Sequence, residues 1–61
     1  MKATVREIRK VLFDFDFKGI INGSEYDNSQ ARTYLYTIED QEMELDFHLG
    51  NLGIVVINTE I

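Results

Sequence analysis

The last third of the chain constrains the fold most. Met43, Leu45, Phe47 and Leu49 alternate with Glu44, Asp46 and His48, the period-two signature of a strand buried on one side and wet on the other. Gly50-Asn51-Leu52-Gly53 follows as a hairpin loop. Ile54-Val55-Val56-Ile57 is then β-branched and apolar on both faces, which predicts a strand covered on both sides or set at a dimer contact. A C-terminal β-hairpin of this kind needs a cover. It must find one within 61 residues that contain no cysteine, so neither a disulfide nor a thiolate metal site can staple the core.

The cover is legible at the start of the chain. Thr4-Val5-Arg6-Glu7 has the spacing of a capping box, in which the Thr4 hydroxyl accepts from the Glu7 amide and the Glu7 carboxylate accepts from the Thr4 amide. Val5, Ile8, Val11, Leu12 and Phe15 then share one arc of a helix, with Arg6, Arg9 and Lys10 opposite. The spacing predicts a helix over about 4–13. Phe13-Asp14-Phe15-Asp16-Phe17 changes the period to two, which predicts a strand over roughly 15–21, weakened in its middle by Gly19 and closed by the turn Asn22-Gly23-Ser24.

Residues 27–40 carry two patterns. Asp27 and Gln30 can form a second capping box, and Ala31, Tyr34, Leu35 and Ile38 keep helical spacing. Thr33, Tyr34, Tyr36, Thr37 and Ile38 are strand formers. The cap tips the reading to a helix. The expected fold is one α+β domain over residues 1–61, in two layers and the order α-β-α-β-β. An N-terminal and a second helix pack on a three-stranded sheet that ends in the C-terminal hairpin. Its expected core is Val5, Ile8, Leu12, Phe15, Phe17, Ile21, Tyr34, Leu35, Ile38, Met43, Leu45, Phe47, Leu49, Val55 and Ile57. A core this small rarely nets more than about 3–5 kcal/mol, so a homodimer or an obligate complex is expected.

Charge is segregated along the chain. The total is −5, yet residues 1–10 set Lys2, Arg6, Arg9 and Lys10 against Glu7 alone. Residues 33–61 hold Glu39, Asp40, Glu42, Glu44, Asp46 and Glu60 with no Lys or Arg. On an extended strand, residues two apart project from one face about 6.6–6.8 Å apart. Glu42, Glu44 and Asp46, with Glu39, Asp40 and His48 beside them, thus form an expected partner-binding row, suited to a basic protein surface. A solvated, solubilising face gives the same pattern. Arg6, Arg9 and Lys10 form a secondary basic patch, with Phe13 as a stacking ring. Three cations on an acidic chain make a small footprint for phosphates, so nucleic acid is not the expected partner and a small nucleic-acid-binding protein is the alternative. The expected reading of the patch is an exposed helix face or a docking patch for an acidic partner.

Chemistry has little to work with. His48 is the sole imidazole, on the wet face of a strand, and Ser24 and Ser29 occupy turn and cap positions, which supplies no nucleophile, base and orienting acid together. The expectation is a non-enzymatic protein with no cofactor. Its expected work is that of a small acidic inhibitor or regulator of the phage or mobile-element type. No apolar run approaches the roughly 20 residues of a membrane span, and Met1-Lys2 leads into no signal peptide; a cytoplasmic location is expected.

The stretch Asp14-Phe15-Asp16-Phe17-Lys18-Gly19-Ile20-Ile21-Asn22-Gly23-Ser24-Glu25 resembles the calcium loop of the EF-hand family. The likeness lies in the paired Asp14 and Asp16, the Gly19 bend, apolar Ile21 and the closing Glu25. It implies calcium held by Asp14, Asp16, Glu25 and the Ile20 carbonyl. Lys18 departs from the pattern, standing where the family has an oxygen ligand, and the chain has no second loop.

Overall fold

A computed structural model describes residues 1–59, so the expectation for Glu60 lies outside the described residues. The chain runs β1 (Lys2–Thr4), α1 (Val5–Val11), β2 (Lys18–Ile21), β3 (Ser24–Tyr26), α2 (Asn28–Ile38), a 3-10 turn (Glu39–Gln41), β4 (Glu44–Leu49), a second 3-10 turn (Asn51–Gly53) and β5 (Ile54–Thr59). The strands form one sheet in the order β1-β4-β5-β2-β3. β2 and β5 are parallel, and every other pairing is antiparallel.

Both helices start where the sequence places their caps. The Glu7 amide donates to the Thr4 hydroxyl at 3.2 Å, and the Thr4 amide donates to Glu7 Oε1 at 2.9 Å. In α2 the Gln30 amide donates to Asp27 Oδ1 at 2.7 Å, and the Asp27 amide donates to Gln30 Oε1 at 3.0 Å. The reciprocal cap decides residues 28–38 in favour of helix, because it satisfies amides that a strand would have to pair elsewhere.

The α+β class is as expected; the sheet is wider. It has five strands, not three, because two short edge strands flank the expected ones. Lys2–Thr4 pairs with Glu44–Asp46 of β4. Ser24–Tyr26 folds back on β2 through Asn22 (φ 50°) and Gly23 (φ 86°), a two-residue turn whose backbone twist matches the strands it joins. The Asn22 side chain also fastens this corner to β5, accepting from the Thr59 amide at 2.9 Å.

The expected strand over 15–21 shortens to Lys18–Ile21, and α1 stops at Val11 with Leu12 as its cap. Residues 12–17 form a connection, and of its alternating rings only Phe17 is buried. Arg32 holds this connection in place. Its Nη2 donates to the carbonyls of Leu12 (2.8 Å) and Phe15 (2.7 Å), and Asn28 Nδ2 donates to the Phe15 carbonyl at 3.2 Å. A strand would have sent those carbonyls to a neighbouring strand.

The core lies between the helices and one sheet face. Val5, Ile8 and Leu12 of the first helical segment meet Ala31, Leu35 and Ile38 of α2 over Leu45, Phe47, Val55, Ile57 and Ile21. Phe15 and Leu49, expected inside, are exposed, whereas Ala3 and Ala31 are buried; Tyr34 and Met43 pack at the margin. β5 is central in the sheet, but helices cover only one of its faces. Ile54 and Val56, on the other face, are half-buried.

The first cap makes stability depend on pH. The Thr4 amide, and then its hydroxyl, donate to Glu7 and hold its carboxyl below the ordinary carboxylate range. A depressed folded-state pKa contributes stability above the unfolded value, lost as pH falls through the folded one. Glu7→Gln is therefore expected to melt lower than the parent at neutral pH and to converge with it in acid. Melting curves that stay parallel from neutral to acid pH would contradict this.

Candidate functional site

The expected acidic row is not one continuous strand face. It divides by local backbone. In β4, Leu45 and Phe47 point into the core, so Glu44, Asp46 and His48 project from the opposite face by strand alternation. Cross-strand register carries that face across the sheet. Asp46 lies opposite Lys2 and Asn58, and His48 opposite Val56, which in turn neighbours Ile20 and then Glu25. Ile20, Ile54 and Val56 thus make a half-buried apolar strip down the middle of the open face.

The other carboxylates precede β4. Glu39 turns toward the helices and pairs with Arg9. Asp40 is exposed on the 3-10 turn, and Glu42 is exposed in a left-handed conformation (φ 53°) before β4 begins. That conformation costs a residue with a β-carbon roughly 1–2 kcal/mol. Asp46 lies 3.4 Å from the terminal ammonium of Met1, and both groups are largely exposed, so the pair adds little. The ion pairs of the described residues therefore engage Glu39, Asp46 and Glu25, and none involves Asp40, Glu42 or Glu44. Three unpaired carboxylates thus stand where the chain enters β4, and Asp14 and Asp16, exposed after α1, are likewise without an ion pair among the described residues.

The calcium arrangement implied by the EF-hand resemblance is not assembled. Where that family has a continuous loop, Lys18–Ile21 and Ser24–Tyr26 form a hairpin. Lys18 Nζ sits 2.8 Å from Glu25 Oε1, and this hydrogen bond draws the Glu25 carboxyl below its ordinary range. Asp14 and Asp16 stay in the exposed connection after α1. Among the described residues no three His, Cys, Asp or Glu side chains are grouped closely enough to hold a metal ion.

The basic residues of α1 are joined by side chains from α2. Arg9 stacks its guanidinium 4.1 Å from the Tyr36 ring centre while pairing with Glu39. Arg6 and Lys10 are exposed beside it. Arg32, remote in sequence, lies over the Phe17 ring at 5.2 Å. Leu12, Phe13, Phe17, Leu35 and Tyr36, with Arg9 and Arg32, line a groove of about 340 Å³ between the helices. Sequence reasoning missed Arg32 and Tyr36, because only the packing of α2 on residues 12–17 brings them to α1.

Both surfaces present exposed charge beside apolar side chains. Every buried residue described is apolar, so no titratable group is held dry within the core. No described helix is long and apolar enough to cross a membrane. Comparison with family models, with curated proteins and with solved structures yields no match.

Proposed function

We propose that this chain is a non-enzymatic binding protein, a small acidic inhibitor or regulator that covers a basic surface of a partner protein. The observation that carries the reading is the acidic corner Asp40-Glu42-Glu44, exposed and without an ion pair among the described residues, which adjoins an open sheet face with apolar residues at its centre. Unpaired carboxylates steer a cationic partner and set its register. Ile20, Ile54 and Val56 supply apolar area that becomes dry on docking. Asp46 and His48 continue the surface along β4. Glu42, retained in a backbone conformation that costs energy, fits a surface shaped for recognition. Glu39 leaves the docking set, since Arg9 already occupies it.

Charge reversal tests the reading. The triple variant Glu42→Lys/Glu44→Lys/Asp46→Lys is expected to keep its circular dichroism spectrum and weaken capture of the partner by at least about tenfold. Raising salt is expected to weaken the parent's binding more than the variant's, because exposed charges are screened. Unchanged capture by the triple variant would refute the acidic surface. Ile54 and Val56, half-buried on an uncovered strand face, also favour a homodimer through that strip. A sedimentation profile showing only monomer at micromolar concentration would remove that second reading.

A further inference from the structure

The groove between the helices has a built character that the rest of the surface lacks. Its floor is apolar, from Leu12, Phe17 and Leu35, and two aromatic rings stand beside it, Phe13 at 67% and Tyr36 at 58% exposure. Its two guanidinium groups are already fixed. Arg9 is held by the Tyr36 ring and the Glu39 carboxylate. Arg32 is held by the Phe17 ring, by Asn28 Oδ1 at 2.8 Å from its Nε, and by the carbonyls of Leu12 and Phe15. A guanidinium has five N–H donors, so each keeps donors to spare after these bonds. Side chains ordered before binding lose less entropy when a ligand arrives. Next to this groove, Arg6, Arg9, Lys10, Phe13 and Glu39 line a shallower one that shares Arg9 and Phe13 with it. Four cations and one carboxylate thus surround exposed rings on a chain whose total charge is −5.

We propose that this groove is a second docking site, independent of the acidic sheet face, for an acidic segment of a partner protein that carries an aromatic anchor. The anchor ring enters between Phe13 and Tyr36, whose exposed rings become dry, above Leu12 and Leu35, which are already buried. Flanking carboxylates take the spare N–H donors of Arg9 and Arg32 and lie near Arg6 and Lys10, where planar guanidinium forks match carboxylate geometry. A single-stranded nucleic acid offers rings and anions too, but its affinity rests on neutralising many phosphates in a row. The remainder of this chain is acidic and Glu39 sits on the rim, so a long polyanion meets repulsion beyond the patch. A short acidic segment needs only the patch.

Fluorescence anisotropy with a short fluorescein-labelled peptide, a central phenylalanine flanked by glutamates, tests this. The parent chain is expected to bind it, and Phe13→Ala and Lys10→Glu, both at exposed positions that leave the core untouched, are each expected to weaken binding about tenfold, equivalent to about 1.4 kcal/mol. Replacing the peptide's phenylalanine by alanine is expected to cost a similar factor. A short oligouridylate is expected to bind more weakly than the peptide at physiological salt. The proposal is overturned by no binding of the peptide, by equal affinity for its alanine version, by indifference to both substitutions, or by tighter binding of the oligouridylate. The last result would assign the groove to nucleic acid.

Discussion

Ile57→Ala is expected to cost about 3–4 kcal/mol, within the range for deleting a buried isoleucine side chain to its β-carbon. Ile57 is fully buried on the central strand, opposite Phe47 of β4 and Ile21 of β2. Its carbonyl accepts from the Asn22 amide at 2.9 Å, at the turn that opens β3. The residue thus joins three strands and the helical layer. Relaxation into the cavity would have to move the sheet centre, so little of the loss is recovered. At roughly 0.05–0.15 kcal/mol per residue, a domain of this length holds only about 3–9 kcal/mol in all, so the substitution is expected to remove about a third or more of the total. Urea denaturation gives the number. Val56→Ala, one residue away on the open face, is the control and is expected to cost less than about 1 kcal/mol. Equal losses at the two positions would mean that both faces of β5 are covered.

Gly19→Ala is expected to destabilise by about 2–3 kcal/mol, the upper part of the range for overpacking. A β-carbon built on Gly19 would lie 2.8 Å from the Ala31 β-carbon. Neither atom can rotate away, since each is fixed to its own backbone, so α2 would have to lift from β2. Leu35 and Ile38 would lose part of their packing in consequence. Ala31→Gly in the Gly19→Ala background should restore part of the loss, although glycine inside a helix costs about 1 kcal/mol by itself. A double-mutant cycle by thermal denaturation reads the coupling. Purely additive losses would show that the contact between β2 and α2 is not the reason for glycine at this position.

Local signals were legible wherever the interaction they encode is itself local. Thr4 with Glu7 and Asp27 with Gln30 are bonds across three residues, and both were readable. β4 and β5 were equally plain as strands, β4 from its alternation and β5 from its β-branched run, although only one face of β5 is buried. The edges were not. Lys2-Ala3-Thr4 is too short to show a period, and only its pairing with β4 identifies it as a strand. Ser24-Glu25-Tyr26 is polar and brief, although Asn22-Gly23 before it is the usual signal of a two-residue hairpin. The rings of residues 13–17 misled, because alternation predicts a strand only if the carbonyls find strand partners. Arg32 supplies the alternative, and a contact across 20 residues leaves no local trace.

The candidate site followed the same division. Glu44, Asp46 and His48 share a face because they share a strand, which sequence shows directly. Glu39 departs because the 3-10 turn after α2 swings it to Arg9, a partner 30 residues away. Arg6 and Lys10 were visible as one helix face. The groove they adjoin was not, since its other wall comes from α2.

The central claim is that the sheet face beginning at the acidic corner is the working surface. Amide spectra of the isotope-labelled chain, titrated with a protein that the parent retains and the lysine-reversed triple variant releases, test it most directly. Shifts are expected to concentrate at Glu42, Glu44, Asp46, His48, Ile54 and Val56, with α1 and α2 little changed. Shifts confined to α1 and α2, with the β4–β5 face silent, would contradict it.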